Sequence, residues 1–199
     1  MAHQLTVEEM IATLAVSPLP NEAAIRLALM QAGQEALPGL IRAVEMQNSP
    51  QCSRAAEILV MIDPDASYPV LVKALKSTNL NLRQKAIEML GDIGNSDAVP
   101  VLLDHLYQER VVLQVWVVQS LGKLRDSRAV NALSELLNQE DSSTLRYMAV
   151  EALGLIGDRR ALPLIKALRN DPDHHVRSRV ETALEIFGEL SSPPDPLVR

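Results

Sequence analysis

The sequence predicts an all-α fold, a right-handed α-solenoid of stacked helix pairs with about twelve helices in total. Three observations carry this prediction. Prolines recur at Pro38, Pro69, Pro100 and Pro163, with Asn131 filling the remaining slot, so successive intervals are 31, 31, 31 and 32 residues. Small residues form a second column at Ala24, Ala55, Ala86, Val117, Ala149 and Val180. Four residues later a leucine column follows at Leu59, Leu90, Leu121, Leu153 and Leu184. A spacing of four keeps the two columns on one helical face. A period near 31 residues is about the length of a helix pair that cannot bury its apolar face alone.

The elements follow in order. A half-unit over 1–17 opens the chain, with Thr6 and Glu9 placed as a capping box ahead of Met10, Ile11 and Leu14. Complete units then run over 18–48, 49–79, 80–110, 111–141 and 142–173, each a helix, a tight turn, a second helix and a short link. The first helices lead into LGDIG at 90–94, LGKLR at 121–125 and LGLIG at 153–157. Gly94, Gly157 and Gly188 suit the left-handed residue that ends a helix, whereas Gly91, Gly122 and Gly154 suit close passage of a neighbour. Asp97 is expected to cap the following helix, with Pro100 in its first turn and Val101, Leu102, Leu103 and Leu106 on its apolar side. A half-unit over 174–188, capped by Asp171 and Asp173, closes a single array that extends over 1–188. The tail over 189–199 holds Pro193, Pro194 and Pro196 without apolar periodicity and is expected to be disordered.

The run GDRRALP at 157–163, followed by Asp171, Val176 and Arg177 at the start of the next helix, resembles the HEAT-like repeats of the phycobilin lyase type. At the level of the repeat the resemblance covers nearly the whole chain. It implies the α-solenoid, and its members include chromophore lyase subunits, phycobilisome degradation factors and scaffolds with no chemistry. The residues that carry it pack the stack, so it speaks to fold rather than to function. The sequence departs from the pattern at Asn131, at Gln114 where Arg83, Arg146 and Arg177 recur, and after Pro163, where the helix is one residue short.

Composition narrows the function classes. The chain is 47% hydrophobic but only 3% aromatic, which suits an aliphatic core between closely packed helices. A net charge of −6 does not favour a nucleic-acid binder. The single cysteine, Cys52, excludes an intramolecular disulfide. No start region reads as a secretion signal and no apolar run reaches the roughly 20 residues of a membrane span, so a cytoplasmic protein is expected.

No acid–base pair, nucleophile–base set or metal-ligand spacing is visible, so no catalytic, cofactor or metal residues are assigned. His174 and His175 are adjacent and would point about 100° apart on a helix. His3 and His105 stand alone in the sequence. Cys52 shares the repeat position of Arg83, Arg146 and Arg177 near a helix start, where a thiol can be activated, but no histidine lies near it in sequence and packing is its expected role. The three arginines are expected to bond carbonyls or acids such as Asp92 or Asp158. Arg42, Lys73, Asp104 and Glu135 occupy equivalent polar positions on the second helices and pass from basic to acidic along the chain.

Two surface sets remain. One first-helix column reads Glu22, Ser53, Gln84, Val115, Tyr147 and Ser178, and the next reads Ala23, Arg54, Lys85, Trp116, Met148 and Arg179. These largely polar columns turn apolar only at Val115, Trp116, Tyr147 and Met148, which are therefore expected to form one exposed partner-binding patch. Residues 142–180 are locally basic, and Arg159, Arg160, Lys166 and Arg169 are the candidates for binding an anion. The residues thus point to a non-catalytic protein–protein interaction scaffold. The resemblance supplies one alternative, a lyase or lyase accessory subunit acting on a linear tetrapyrrole (a bilin) or on a phycobilisome. The basic region supplies another, an anion- or nucleic-acid-binding stack.

Overall fold

The computed structural model describes residues 5–16, 21–47, 50–109, 111–139 and 142–189. Among these, twelve α-helices and no β-strand are present. The fold is the all-α stack of helix pairs that the 31-residue period predicts. The chain divides into two compact halves, Met1–Ile93 and Gly94–Arg199.

The N-terminal half contains α1 (Val7–Thr13), α2 (Glu22–Ala32), α3 (Leu37–Glu45), α4 (Cys52–Ile62), α5 (Pro64–Ala74) and α6 (Leu80–Ile93). Helices α2, α4 and α6 pack in one row and α1, α3 and α5 in the other. The capping box at α1 forms: the Glu9 amide donates to Thr6 Oγ1 at 3.3 Å and the Thr6 amide to Glu9 Oε2 at 2.8 Å. Helix α5 departs from the proline column. The Asp63 carboxylate accepts the Ala66 amide at 2.9 Å, so the helix starts at Pro64 and Pro69 lies inside it rather than in its first turn.

The C-terminal half contains α7 (Ala98–Leu106), α8 (Val111–Leu124), α9 (Val130–Gln139), α10 (Ser143–Ile156), α11 (Leu162–Ala167) and α12 (His174–Ile186). Helices α8, α10 and α12 form a row, with α7 against α8, α9 against α10 and α11 against α12. Asp97 does not cap α7. Its own backbone is already helical, which carries its carboxylate away from the free amides, and Asn95 Oδ1 instead accepts the Asp97 amide at 2.9 Å. Asp173 does cap α12, accepting the His175 amide at 2.7 Å. The missing residue after Pro163 leaves α11 only six residues long, continued by a 3₁₀ turn over Leu168–Asn170.

Both repeat columns are core. Ala55, Ala86, Val117, Ala149 and Val180 are fully buried, and so are Leu59, Leu90, Leu121, Leu153 and Leu184. Each such leucine contributes about 1.5–3 kcal/mol through removal of its surface from water. Neighbouring first helices can approach this closely because Gly122 and Gly154 have no side chain. A Cβ on Gly122 would lie 2.9 Å from Ala152 Cα, and one on Gly154 would lie 3.1 Å from Ala183 Cβ.

Hydrogen bonds between loops reinforce the C-terminal stack. Arg128 clasps Asp126 and donates to the Ser96 carbonyl at 2.7 Å; Arg160 clasps Asp158 and donates to the Ser127 carbonyl at 3.0 Å. The GDRRALP run therefore holds one loop onto the loop before it. The tail assigned to 189–199 lies outside the described residues except for Glu189, which belongs to the folded chain. Its amide donates to the Leu184 carbonyl at 2.9 Å while that of Gly188 donates to Glu185, closing α12 with a Schellman cap.

Candidate functional site

Val115 and Trp116 lie on α8, and Tyr147 and Met148 at the equivalent positions of α10, the helix packed beside it. The structure brings the four onto adjoining flanks, but all are half-buried rather than openly exposed. The close passage at Gly122 draws the two helices together, so side chains on their flanks sink into the crevice between them. Tyr147 leans toward α12, its ring centroid 6.3 Å from that of His175 at a tilt of 49°. Met148 lines a small hollow of about 90 Å³ with Gln119, Lys123, Glu151 and Leu155. A second hollow of about 80 Å³ continues across Leu155, Arg179 and Ile186. Ile186 is exposed. The result is an apolar furrow across α8, α10 and α12, edged by Lys123, Glu151 and Arg179.

The same columns behave differently in the N-terminal half. There Arg54 donates to the Leu14 and Val16 carbonyls at 2.8 and 2.9 Å. Glu57 pairs with Arg26 at 3.1 Å and with Lys85 at 2.9 Å, and Lys85 reaches Glu88 at 3.3 Å. The hydrogen bond to Glu57 outweighs burial and holds the Lys85 ammonium above its ordinary pKa, so the ladder stays charged. In the C-terminal half Trp116 and Met148 stand at the ladder's cationic positions, and only Glu151 and Arg179, 3.6 Å apart, keep its pattern.

The four candidate anion-binding residues do not converge. Arg159 and Lys166 both close on the Glu189 carboxylate at 2.6 Å. Hydrogen bonding from Lys166 holds that carboxyl below its usual range. Arg160 is engaged by Asp158, and Arg169 faces Glu181 at 3.8 Å. An anion would have to displace carboxylates already in place. The signal missed in the sequence is Glu189 itself, which the proline-rich run after it had assigned to the tail.

The remaining chemistry is structural. Cys52 is buried, with Sγ donating to the Gln47 carbonyl at 3.4 Å and accepting from Asn79 Nδ2 at 3.6 Å. At the repeat position of Cys52, Arg83 and Arg177 donate to the carbonyls of Ser77 and Asp171, each at 2.7 Å, and Gln114 does the same to Leu106 at 3.0 Å. Asp92 or Asp158 was the acid expected for this column; Arg146 instead binds Asp171, and Asp158 pairs with Arg160. On the second helices Arg42 pairs with Glu8 and Lys73 with Glu45, whereas Asp104 and Glu135 are exposed. His105 faces Glu109 at 3.7 Å, His174 stacks on His175, and His3 lies outside the described residues. Among the described residues no group of three or more His, Cys, Asp or Glu side chains could hold a metal, and no helix is long and apolar enough to cross a membrane.

The HEAT-repeat family matches residues 51–115 and 108–185. The chain belongs to the HEAT-repeat family. Among solved structures it is similar to a chain of the CpcE–CpcF complex of phycocyanin lyase from Nostoc sp. PCC7120, at 25% identity over 95% of this chain and 67% of that one, with a TM-score of 0.58. Human deoxyhypusine hydroxylase shares the fold at 20% identity over 92% of this chain and 74% of that one, TM-score 0.55. So does a computationally designed armadillo repeat protein for peptide recognition, at 16% identity over 92% of this chain and all of that one, TM-score 0.60. No curated protein matches the sequence. The HEAT repeats bear out the fold read from the proline and leucine columns, and the lyase-complex likeness bears out the resemblance read from GDRRALP.

Proposed function

We propose that this HEAT-repeat protein is a non-catalytic scaffold that binds a protein partner across the furrow formed by Val115, Trp116, Tyr147 and Met148. One observation carries the reading: the charged ladder of the first helices gives way to apolar side chains at these positions. A flank that only had to stay hydrated would keep the arginine, lysine and glutamate pattern seen at Arg26, Glu57, Lys85 and Glu88. Half-buried Trp116, Tyr147 and Met148, the last of them lining a small hollow, suit a partner's apolar side chain, with Lys123, Glu151 and Arg179 forming a polar rim.

A second reading rests on the likeness to the phycocyanin lyase complex, in which this chain would be an accessory subunit handling a bilin or a phycobilisome protein. The engagement of Arg159 and Lys166 by Glu189 speaks against those cations as ready partners for bilin propionates. Partners captured from the native host, then measured individually against the wild type and Trp116→Ala, test the scaffold reading. A loss of affinity near 2 kcal/mol supports it, and unchanged affinity for every partner defeats it. A change in visible absorption on adding a bilin to the purified chain would favour the lyase reading.

A further inference from the structure

Two of the four basic candidates meet at one point. Arg159 lies in the 3₁₀ turn before α11 and Lys166 on α11 itself, and the chain just past α12 sets Glu189 between them. Arg159 Nη2 donates to Glu189 Oε1 and Lys166 Nζ to Oε2, each at 2.6 Å. The neighbouring cations are matched one to one: Arg160 with Asp158, Arg169 with Glu181 and Arg179 with Glu151. Arg159 and Lys166 instead share a single carboxylate, and no second one among the described residues reaches either at ion-pairing distance. The cluster therefore keeps one positive charge, two minus one, while both cations are aimed at a common ligand. It is also open to solvent: the Arg159 and Lys166 side chains are 69% and 42% exposed, against 23% for Glu189.

We propose that Arg159 and Lys166 form a binding site for a phosphate monoester, and that Glu189 occupies it as a displaceable internal stand-in. Charge and oxygen count select the ligand. A carboxylate from outside offers only what Glu189 already supplies. It must also compete with a group tethered beside the site at an effective concentration on the order of millimolar or more. A phosphate monoester brings a charge of about −1.5 to −2 at neutral pH and three acceptor oxygens. It matches both cations at once, the guanidinium taking two oxygens and the ammonium the third. Release of the Glu189 side chain costs little, because ion pairs on exposed cations contribute little to stability. The backbone stays in place meanwhile, since the Glu189 amide donates to the Leu184 carbonyl at 2.9 Å whatever its side chain does. The site shares no residue with the Trp116 furrow, so the two surfaces succeed or fail independently.

The test uses the full chain, inorganic phosphate, and three labelled peptides of one sequence that carry phosphoserine, serine or glutamate at the same position. Glu189→Gln removes the internal charge and keeps the side chain's shape. By fluorescence anisotropy it should bind the phosphoserine peptide about tenfold or more tightly than wild type does, the gain shrinking as salt rises. The serine and glutamate peptides should bind more weakly, and the melting temperature should stay near that of wild type. Adding Arg159→Gln and Lys166→Gln to this variant should abolish the binding, whereas adding Trp116→Ala should leave it intact. Tighter binding of the phosphopeptide than of inorganic phosphate assigns the group to a partner protein, and the reverse assigns a free phosphate; either supports the site. Equal affinity of wild type and Glu189→Gln, a glutamate peptide that binds as tightly as the phosphoserine one, or binding that survives loss of both cations overturns the proposal. So does the absence of binding by any probe, which leaves Glu189 as a structural tether. If Glu189→Gln melts early, Glu189→Asp decides, because it keeps the charge but withdraws it by one methylene. It too should bind the phosphopeptide more tightly than wild type, and wild-type affinity there overturns the proposal.

Discussion

Arg146 grips Asp171 with two hydrogen bonds, from Nε to Oδ2 at 3.0 Å and from an Nη to Oδ1 at 3.1 Å, across 25 residues of sequence. Both side chains are mostly buried. The pair ties the start of α10 to the link before α12, whose carbonyl oxygens at Asp171 and Pro172 are taken by Arg177. Burial by itself would push the Asp171 carboxyl up, but hydrogen bonds from Arg146 and the Asp173 amide outweigh it and hold the group below the usual carboxylate range.

Asp171→Asn should therefore lower stability at neutral pH by about 3 kcal/mol, because it leaves Arg146 without its charge partner. Folding depresses this carboxyl below an unfolded aspartate near pKa 3.9, so its contribution is complete above that pH and fades as pH falls through the lower folded value. Urea melts at pH 7 and near pH 3 should show the difference between wild type and variant shrinking in acid. An equal difference at both pH values would show that the pair's charge contributes nothing.

Gly122→Ala places a methyl 2.9 Å from Ala152 Cα, where backbone rather than a pliant side chain must move. Alanine gains about 1 kcal/mol in helix propensity over glycine, yet the overpacking should win and leave a net loss of about 1–2 kcal/mol. Gly154→Ala, whose nearest obstacle is Ala183 Cβ at 3.1 Å, should lose less. Chemical denaturation of both variants checks the order, and a more stable Gly122→Ala would refute the close-approach account.

Arg125 adopts φ 52° at the position where Gly94, Gly157 and Gly188 have φ near 70°. A side chain there meets its own backbone, at a cost of about 1–2 kcal/mol. Arg125→Gly should recover part of this, raising stability by about 0.5–1 kcal/mol after the greater freedom of an unfolded glycine is counted. A fall in the unfolding midpoint would mean that the exposed arginine holds contacts worth more than the strain.

Trp116 is the chain's single tryptophan and is half-buried, so its fluorescence reports on the furrow alone. In the free protein its emission should lie between the buried and fully hydrated extremes and remain partly open to a soluble quencher. Trp116→Ala should cost about 1–3 kcal/mol, less than the 3–5 of a fully buried ring. Emission wholly shielded from quencher would show a core residue and remove the furrow from consideration as a binding surface.

The fold was legible because its signals are local and repeated. Residues four apart on a helix share a face whatever surrounds them, so the columns at Ala55 and Leu59 named the buried side before any packing was known. The capping box at Thr6 and the left-handed glycines at 94, 157 and 188 were readable for the same reason. The cap at Asp97 was not, because the turn acceptor is Asn95, which follows Gly94 as Asp126 follows Arg125 and Asp158 follows Gly157. The site was legible only in part: the change of character at Trp116 and Met148 is in the sequence, but their half-burial is not.

By itself, then, the sequence determined the helices, their pairing, their period and their buried face, all of which depend on spacings within about four residues or on one repeat length. Tertiary structure alone decided which charges are free to act. Arg159 and Lys166 look available until α12 brings Glu189 between them, and Arg146 acquires its acid from a link 25 residues away. Tertiary structure also decided how far α8 and α10 close over the furrow. Each depends on the distance between helices that no local spacing encodes, because backbone approach, and with it burial and ion pairing, is set by what the neighbouring helix carries.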